Sequence, residues 1–208
     1  MTEFITVEQT RDFLLENDGF LLLTHSNPDG DAAGSVAAMY RILKKLGKNV
    51  AFSLDTLPKN LAFLAPEQIV PVFSDPFVIS LDCGSAKQIG GIDGAEGLRE
   101  NVSLSIDHHA GNTPFAKYTL LDGGKAAACE LVYEVARSLG VDIDERIAEC
   151  LYVGISTDTG CFRYANTTPQ THEIAASLMK TGFDCAKVNR LLFETVSKAY
   201  IRFESEVI

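Results

Sequence analysis

Four short segments carry acids and histidines at spacings that suit metal chemistry. Thr24-His25-Ser26-Asn27-Pro28-Asp29-Gly30-Asp31 holds one imidazole and two carboxylates. Asp82 stands in Ile79-Ser80-Leu81-Asp82-Cys83-Gly84-Ser85, and Asp107-His108-His109 brings an acid and two rings together. Asp158 lies in Gly154-Ile155-Ser156-Thr157-Asp158-Thr159-Gly160. Imidazole nitrogens and carboxylate oxygens are the ligands of borderline divalent ions such as Mn²⁺. One ion would not need so many carboxylates, whereas two ions ~3.5–4 Å apart, sharing one carboxylate, would use them all. Clustered without cations, the same carboxylates would repel one another. Taken singly, each has an ordinary reading: Asp29 or Asp31 as a helix N-cap, Asp82 and Asp107 as turn residues, and His25 as a hydrogen-bonded loop residue. It is their joint recurrence after separate strands that points to a site.

The elements that must position these residues can be read from the hydrophobic pattern. Gly19–Thr24 is a short apolar run, read as a buried strand, and similar runs cover 50–54, 77–81 and 102–106, each ending in an acid (Asp55, Asp82, Asp107). Thr6-Val7-Glu8-Gln9 resembles a capping box that opens a helix to about Glu16. From Asp31 to about Leu46 the apolar residues Val36, Met39, Tyr40, Leu43 and Leu46 recur at helical spacing, and Gly47 stops them. Further helical patterns cover 125–139, 144–156, 169–181 and 184–193, with a last stretch from about Ser197. Strands alternating with helices in the first half predict an α/β fold, a doubly wound parallel sheet with helices on both faces, followed by a helical second half. In such sheets ligands bind outside the carboxyl ends of the strands, where His25, Asp29, Asp31, Asp82 and Asp107–His109 fall. Gly34 is expected to allow close helix–sheet packing, and the Lys44, Lys45 and Lys48 cluster to be a solvated face.

The 208 residues carry 18 Lys and Arg against 28 Asp and Glu, a formal net charge of −10. That disfavours non-specific binding to duplex DNA or an anionic membrane, although bound cations would still admit phosphate substrates. No run of ~18 uncharged apolar residues is present to span a bilayer. The charged residues within 1–18 argue against a signal peptide. Five cysteines without a C-x-x-C pair argue for reduced thiols, and so for a cytoplasmic protein. Cys83 reads as a small buried hydrophobe.

Four stretches together resemble the DHH phosphoesterase superfamily: THSNPDGDAAGS (24–35), ISLDCGS (79–85), SIDHHAGN (105–112) and GISTDTGCFRYANTTPQTH (154–172). The last is most similar to the nano-RNase/pAp phosphatase (bifunctional oligoribonuclease) branch. The resemblance implies two divalent ions, Mn²⁺ before Mg²⁺ or Co²⁺. One would be held by His25, Asp29 and Asp82, the second by Asp31, Asp82, His108 and Asp158, with Asp82 shared. It implies that Asp107 orients a histidine, that His109 faces the substrate phosphate, and that Arg163 aids it. The implied activity is attack of a metal-bridging hydroxide on phosphorus in short oligonucleotides or adenosine 3′,5′-bisphosphate. Cyclic- or linear-dinucleotide hydrolysis, pyrophosphate or polyphosphate hydrolysis, and an inactive nucleotide- or metal-binding module are the alternatives. Expected partners are a short oligonucleotide or nucleotide and a second copy of the chain, with no duplex-DNA specificity and no membrane. Residues 1–190 are expected to form the catalytic domain. Residues 191–208 are expected to begin a helical connector to a C-terminal substrate-binding domain, because the Gly-Gly-Gly-His motif of that branch does not occur here.

Overall fold

The computed structural model describes residues 2–64, 75–90, 96–195 and 202. Six strands form one parallel sheet: β1 (Glu3–Phe4), β2 (Phe20–Leu23), β3 (Val50–Phe52), β4 (Phe77–Leu81), β5 (Val102–Asp107) and β6 (Tyr118–Leu121). Their order is β1-β6-β5-β4-β2-β3. β2 pairs in register with β4, Leu23 opposite Ser80, and β4 with β5, Leu81 opposite Ile106. β2 and β4 are apolar runs because both faces of a parallel sheet are covered. From β2 the chain moves outward to β3, then returns to place β4 on the other side of β2. The strand order therefore reverses at the β2/β4 boundary, which leaves a crevice at their carboxyl ends.

The two faces are clothed unequally. Phe20, Leu22, Ile79, Leu81, Leu104 and Ile106 point into the main core, shared with α1 (Val7–Glu16), α2 (Gly30–Lys45) and α4 (Ala128–Ser138). Above them α5 (Glu145–Asp158) packs on α2, α4 and α6 (Pro169–Met179). On the opposite face Leu21, Leu23, Val78 and Val102 meet Phe115 and Leu98 of the short α3 (Glu96–Arg99). The capping box at Thr6 forms as expected, with Gln9 N donating to Thr6 Oγ1 and Thr6 N to Gln9 Oε1.

Several expectations are corrected. Gly34 serves helix–helix contact: a Cβ there would sit 2.5 Å from the Cys150 carbonyl oxygen of α5. Lys44 and Lys45 are exposed, as expected of a solvated face, and two lysines of the cluster also tie elements together. Lys45 Nζ pairs with Asp144 at 2.9 Å, and Lys48 Nζ donates to the Leu15 and Asn17 carbonyls, both at 2.7 Å. The predicted helix over 125–139 starts only at Ala128. The one over 184–193 divides into α7 (Cys185–Asn189) and a π-helical turn at Arg190–Glu194. The stretch expected from about Ser197 lies outside the described residues apart from Arg202. Among the described residues no helix is long and apolar enough to cross a membrane.

Candidate metal centre

Three strand ends and one helix end converge on the crevice. After β2, His25 makes a single antiparallel bridge with Ile89, and Ser26 N donates to the Gln88 carbonyl at 2.7 Å. The chain then turns through Asn27, at φ 55°, into α2. Asp29 caps that helix, its Oδ1 accepting from Asp31 N at 3.0 Å and Ala32 N at 3.1 Å. Asp31 follows in the first turn, fully buried. Asp82 leaves β4 in the left-handed region, φ 57°, while its N still donates to Ile106 O at 3.0 Å. A non-glycine residue in that region stores strain of about 1–3 kcal/mol, which must be over-determined by its surroundings. Asp107 ends β5 and delivers His108 and His109, and Asp158 ends α5.

Asp82 lies between two rings. Its Oδ2 is 3.8 Å from His25 Nε2, and its Oδ1 is 3.5 Å from His108 Nε2. His25 Nε2 is also 3.9 Å from Asp29 Oδ1. His108 Nε2 is 3.7 Å from Asp31 Oδ2 and 3.4 Å from Asp158 Oδ2. Three sets of potential ligand atoms thus cluster within 4.8 Å: His25–Asp29–Asp82, Asp31–His108–Asp158 and Asp82–His108–His109. A cavity of about 180 Å³ lies beside them, lined by His25, Ser26, Asp29, Asp82, Gln88, His109 and Asp158.

The charges act on one another at short range. The Asp82 carboxylate, 3.8 Å away, raises His25 to about 9. Burial opposes charging of His108, but Asp82 and Asp31 outweigh it and raise the ring to about 10. Burial works against ionisation of Asp82 too, yet the nearby His108 and His25 rings bring it down to about 2. Burial and the Asp82 charge push Asp158 up to about 7, and the same two causes push Asp31 well above the carboxylate range. Protons thus balance a surplus of carboxylate that two cations would balance instead.

The donors present fit divalent ions. His25 Nδ1 lies 2.9 Å from the Ser26 carbonyl oxygen, and His108 Nδ1 3.2 Å from that of Lys125. A carbonyl only accepts, so each ring carries its proton on Nδ1 and, when neutral, turns the Nε2 lone pair to the carboxylates. His108 Nε2 and Asp82 Oδ1 are buried without a hydrogen-bond partner among the described residues. With His108 neutral these are two facing acceptors, which a cation would satisfy.

His109 is arranged differently. Its Nδ1 is 2.7 Å from Asp107 Oδ1, which raises its pKa, and about half of its side chain is exposed. Asp107 is fully buried, and its Oδ2 accepts from Asn112 Nδ2 at 2.5 Å. Of the residues singled out from the sequence, His25, Asp29, Asp31, Asp82, His108, His109 and Asp158 meet here, with Asp107 behind His109. Arg163 does not line the cavity; it is exposed on the loop after α5, its Nε donating to Gly160 O at 2.6 Å. Sequence reasoning missed Gln88, which carries no motif and arrives through its backbone bond to Ser26. It also missed a second task of Asp31, whose carboxylate accepts from the α4 amides of Ala128 at 2.5 Å and Cys129 at 2.9 Å. Ala127, at the N-cap, has no side chain able to do this.

A parallel sheet that presents carboxylates and imidazoles at its switch point defines a class of α/β proteins with a polar, metal-competent rim. The chain belongs to the DHH family, whose N-terminal domain matches residues 20–155. It is 36% identical over 196 residues to the bifunctional oligoribonuclease and PAP phosphatase NrnA of Thermus thermophilus, covering 90% of this chain and 57% of that protein. Its identity to the protein of the same name from Bacillus subtilis is 29%, over 86% of this chain and 58% of that one. The chain therefore spans a little more than half the length of these curated relatives. Among solved structures, an exopolyphosphatase-related protein from Bacteroides fragilis shares the fold, with a TM-score of 0.85 at 24% identity, over 97% of this chain and 64% of that one. The exonuclease RecJ bound to manganese shares it more distantly, with a TM-score of 0.55 at 14% identity, over 90% and 54% of the two chains.

Proposed function

We propose that this chain is the catalytic part of a divalent-metal phosphoesterase that hydrolyses short oligoribonucleotides and adenosine 3′,5′-bisphosphate. The observation that carries the reading is Asp82, with one oxygen toward the His25 group and the other toward the His108 group. The names of the curated relatives support the substrate class. His25, Asp29 and Asp82 would hold one ion, and Asp31, Asp82, His108 and Asp158 the other. The mixed nitrogen and oxygen set suits Mn²⁺ better than Mg²⁺, which prefers oxygen. When bound, such ions supply Lewis acidity toward phosphoryl oxygens and make water acidic near neutral pH. The protein's own groups do the rest. His109 lines the cavity, and its charged form, favoured by Asp107, donates a hydrogen bond from Nε2 to a phosphoryl oxygen. Asp107, tied down by Asn112, holds that ring in one orientation.

The test is release of phosphate and mononucleotides in Mn²⁺ from adenosine 3′,5′-bisphosphate, a dinucleotide, a short RNA, cyclic di-AMP and pyrophosphate, with a chelator control. Chelator-sensitive turnover of the bisphosphate and the short RNA is expected. Turnover of pyrophosphate alone, or none at all, overturns the reading.

A further inference from the structure

We propose that Lys125, Glu134 and Gln170 form a clamp that positions one metal group, Asp31–His108–Asp158, more than the His25–Asp29–Asp82 group. The inference rests on the two-metal reading above. Lys125 Nζ is 2.5 Å from Glu134 Oε1 on α4 and 3.1 Å from Gln170 Oε1 on α6. Gln170 Nε2 closes the ring by donating to Glu134 Oε1 at 2.9 Å. The Lys125 side chain is only 9% exposed, an unusual state for a lysine, which is rarely buried unless paired. None of the three residues lines the cavity or belongs to a ligand cluster.

What the clamp fixes is the segment 125–129, which bonds directly to His108 and Asp31 and reaches the Asp158 backbone through Asn166. The Lys125 carbonyl takes the Nδ1 proton of His108, which turns Nε2 to the carboxylates. The Ala128 and Cys129 amides hold both oxygens of Asp31. Asn166 Nδ2 bridges the Ala126 and Asp158 carbonyls, each at 3.1 Å, so the end of α5 is tied to the same segment. The other group is secured elsewhere, by Ser26, Gln88 and the α2 cap. Groups that orient a ligand govern metal affinity without touching the metal. The clamp therefore acts chiefly on one ion, and it gives a task to Lys125 after β6, to Glu134 on α4 and to Gln170 on α6.

The test is Mn²⁺ titration of chelator-stripped protein, followed by calorimetry. Wild type, Glu134→Ala, Gln170→Ala and Asp144→Ala are compared, each also in a His25→Ala background, which isolates the Asp31 group. Asp144 caps α5 and pairs with Lys45, so its loss destabilises the fold without reaching the segment. Glu134→Ala is expected to weaken the Asp31-group ion by about tenfold or more, with Gln170→Ala smaller in the same direction. The His25-group ion should weaken less, because the shared Asp82 is its one link to the group that the clamp positions. Wild-type affinity in a folded Glu134→Ala overturns the clamp. So does equal weakening of both ions, or the same loss in Asp144→Ala. Should Glu134→Ala fail to fold, Glu134→Gln and Gln170→Ala carry the comparison under the same criteria. Absence of metal uptake by wild type would instead remove the two-metal reading, and the clamp with it.

Discussion

Returning Mn²⁺ to chelator-stripped protein at pH 7 is expected to expel protons in a countable number. Without cations, His25 and His108 are raised to about 9 and about 10, so both rings are charged at neutral pH. Ligation needs the Nε2 lone pair, so each ring gives up one proton. Asp158, at about 7, is half protonated and adds about half a proton more. Asp31, pushed up by burial, adds its own share. At least two protons per chain should therefore leave when both ions bind. Calorimetry in buffers of different ionisation enthalpy reads this number directly, as the slope of the observed heat. The same linkage makes joint affinity fall about a hundredfold for each unit the pH drops below neutral. Release of fewer than one proton per chain would refute the electrostatic account, because the rings would then have been neutral beforehand.

Other outcomes follow from single contacts. Asp82→Ala should bind neither ion at concentrations that saturate wild type, because both groups lose the shared carboxylate; full occupancy by two ions would contradict the sharing. His109→Ala should keep both ions yet lose about 10²–10⁴ in turnover, the range of a positioned proton donor. Loss of metal instead would make that ring a ligand. Gly34→Ala should cost about 1–3 kcal/mol, since its Cβ would meet the Cys150 carbonyl at 2.5 Å and backbone cannot swing away; an unchanged melting temperature would refute the close α2–α5 contact. The metal-free protein should lose stability as pH rises from about 7 to 10. His25 and His108 have folded pKa values above the unfolded value, so their contribution is complete below about 6.5 and vanishes through about 9–10. Asp158 is also raised, but it acts at lower pH: the unfolded carboxyl ionises near 3.8 while the folded one keeps its proton to about 7, so its stability loss is complete by about 7 and adds little to the decline above. Thermal melts with and without Mn²⁺ separate this from general alkaline unfolding, because the loaded protein should lack the decline.

The strands that lead to the candidate ligands were readable because each is a short buried apolar run, followed by His25 after β2 and ending at an acid for β4 and β5. β1 and β6 were not: β1 is two residues long, and β6 mixes Tyr118 and Thr119 into a run too brief to stand out. Helical periodicity placed α2 and α5 well, since their buried faces are long. It misplaced the start of α4, where Lys125 to Ala127 look helical but are held by distant partners, Asn166 and His108. The candidate ligands were legible as residue types at strand ends. The tasks of Asp31 toward α4 and of Asn112 toward Asp107 were not, because each joins segments whose contact only the fold creates. Gly34 misled for the same reason: the sequence shows a small residue on a helix but not which neighbour it faces.

The central claim is that Asp82 joins two metal ions in one centre. Electron paramagnetic resonance of protein loaded with Mn²⁺, alongside metal analysis, tests it most directly. Two Mn²⁺ per chain with the exchange-coupled spectrum of a bridged pair is the predicted result. A single uncoupled Mn²⁺ per chain at saturation, in folded protein, would contradict it.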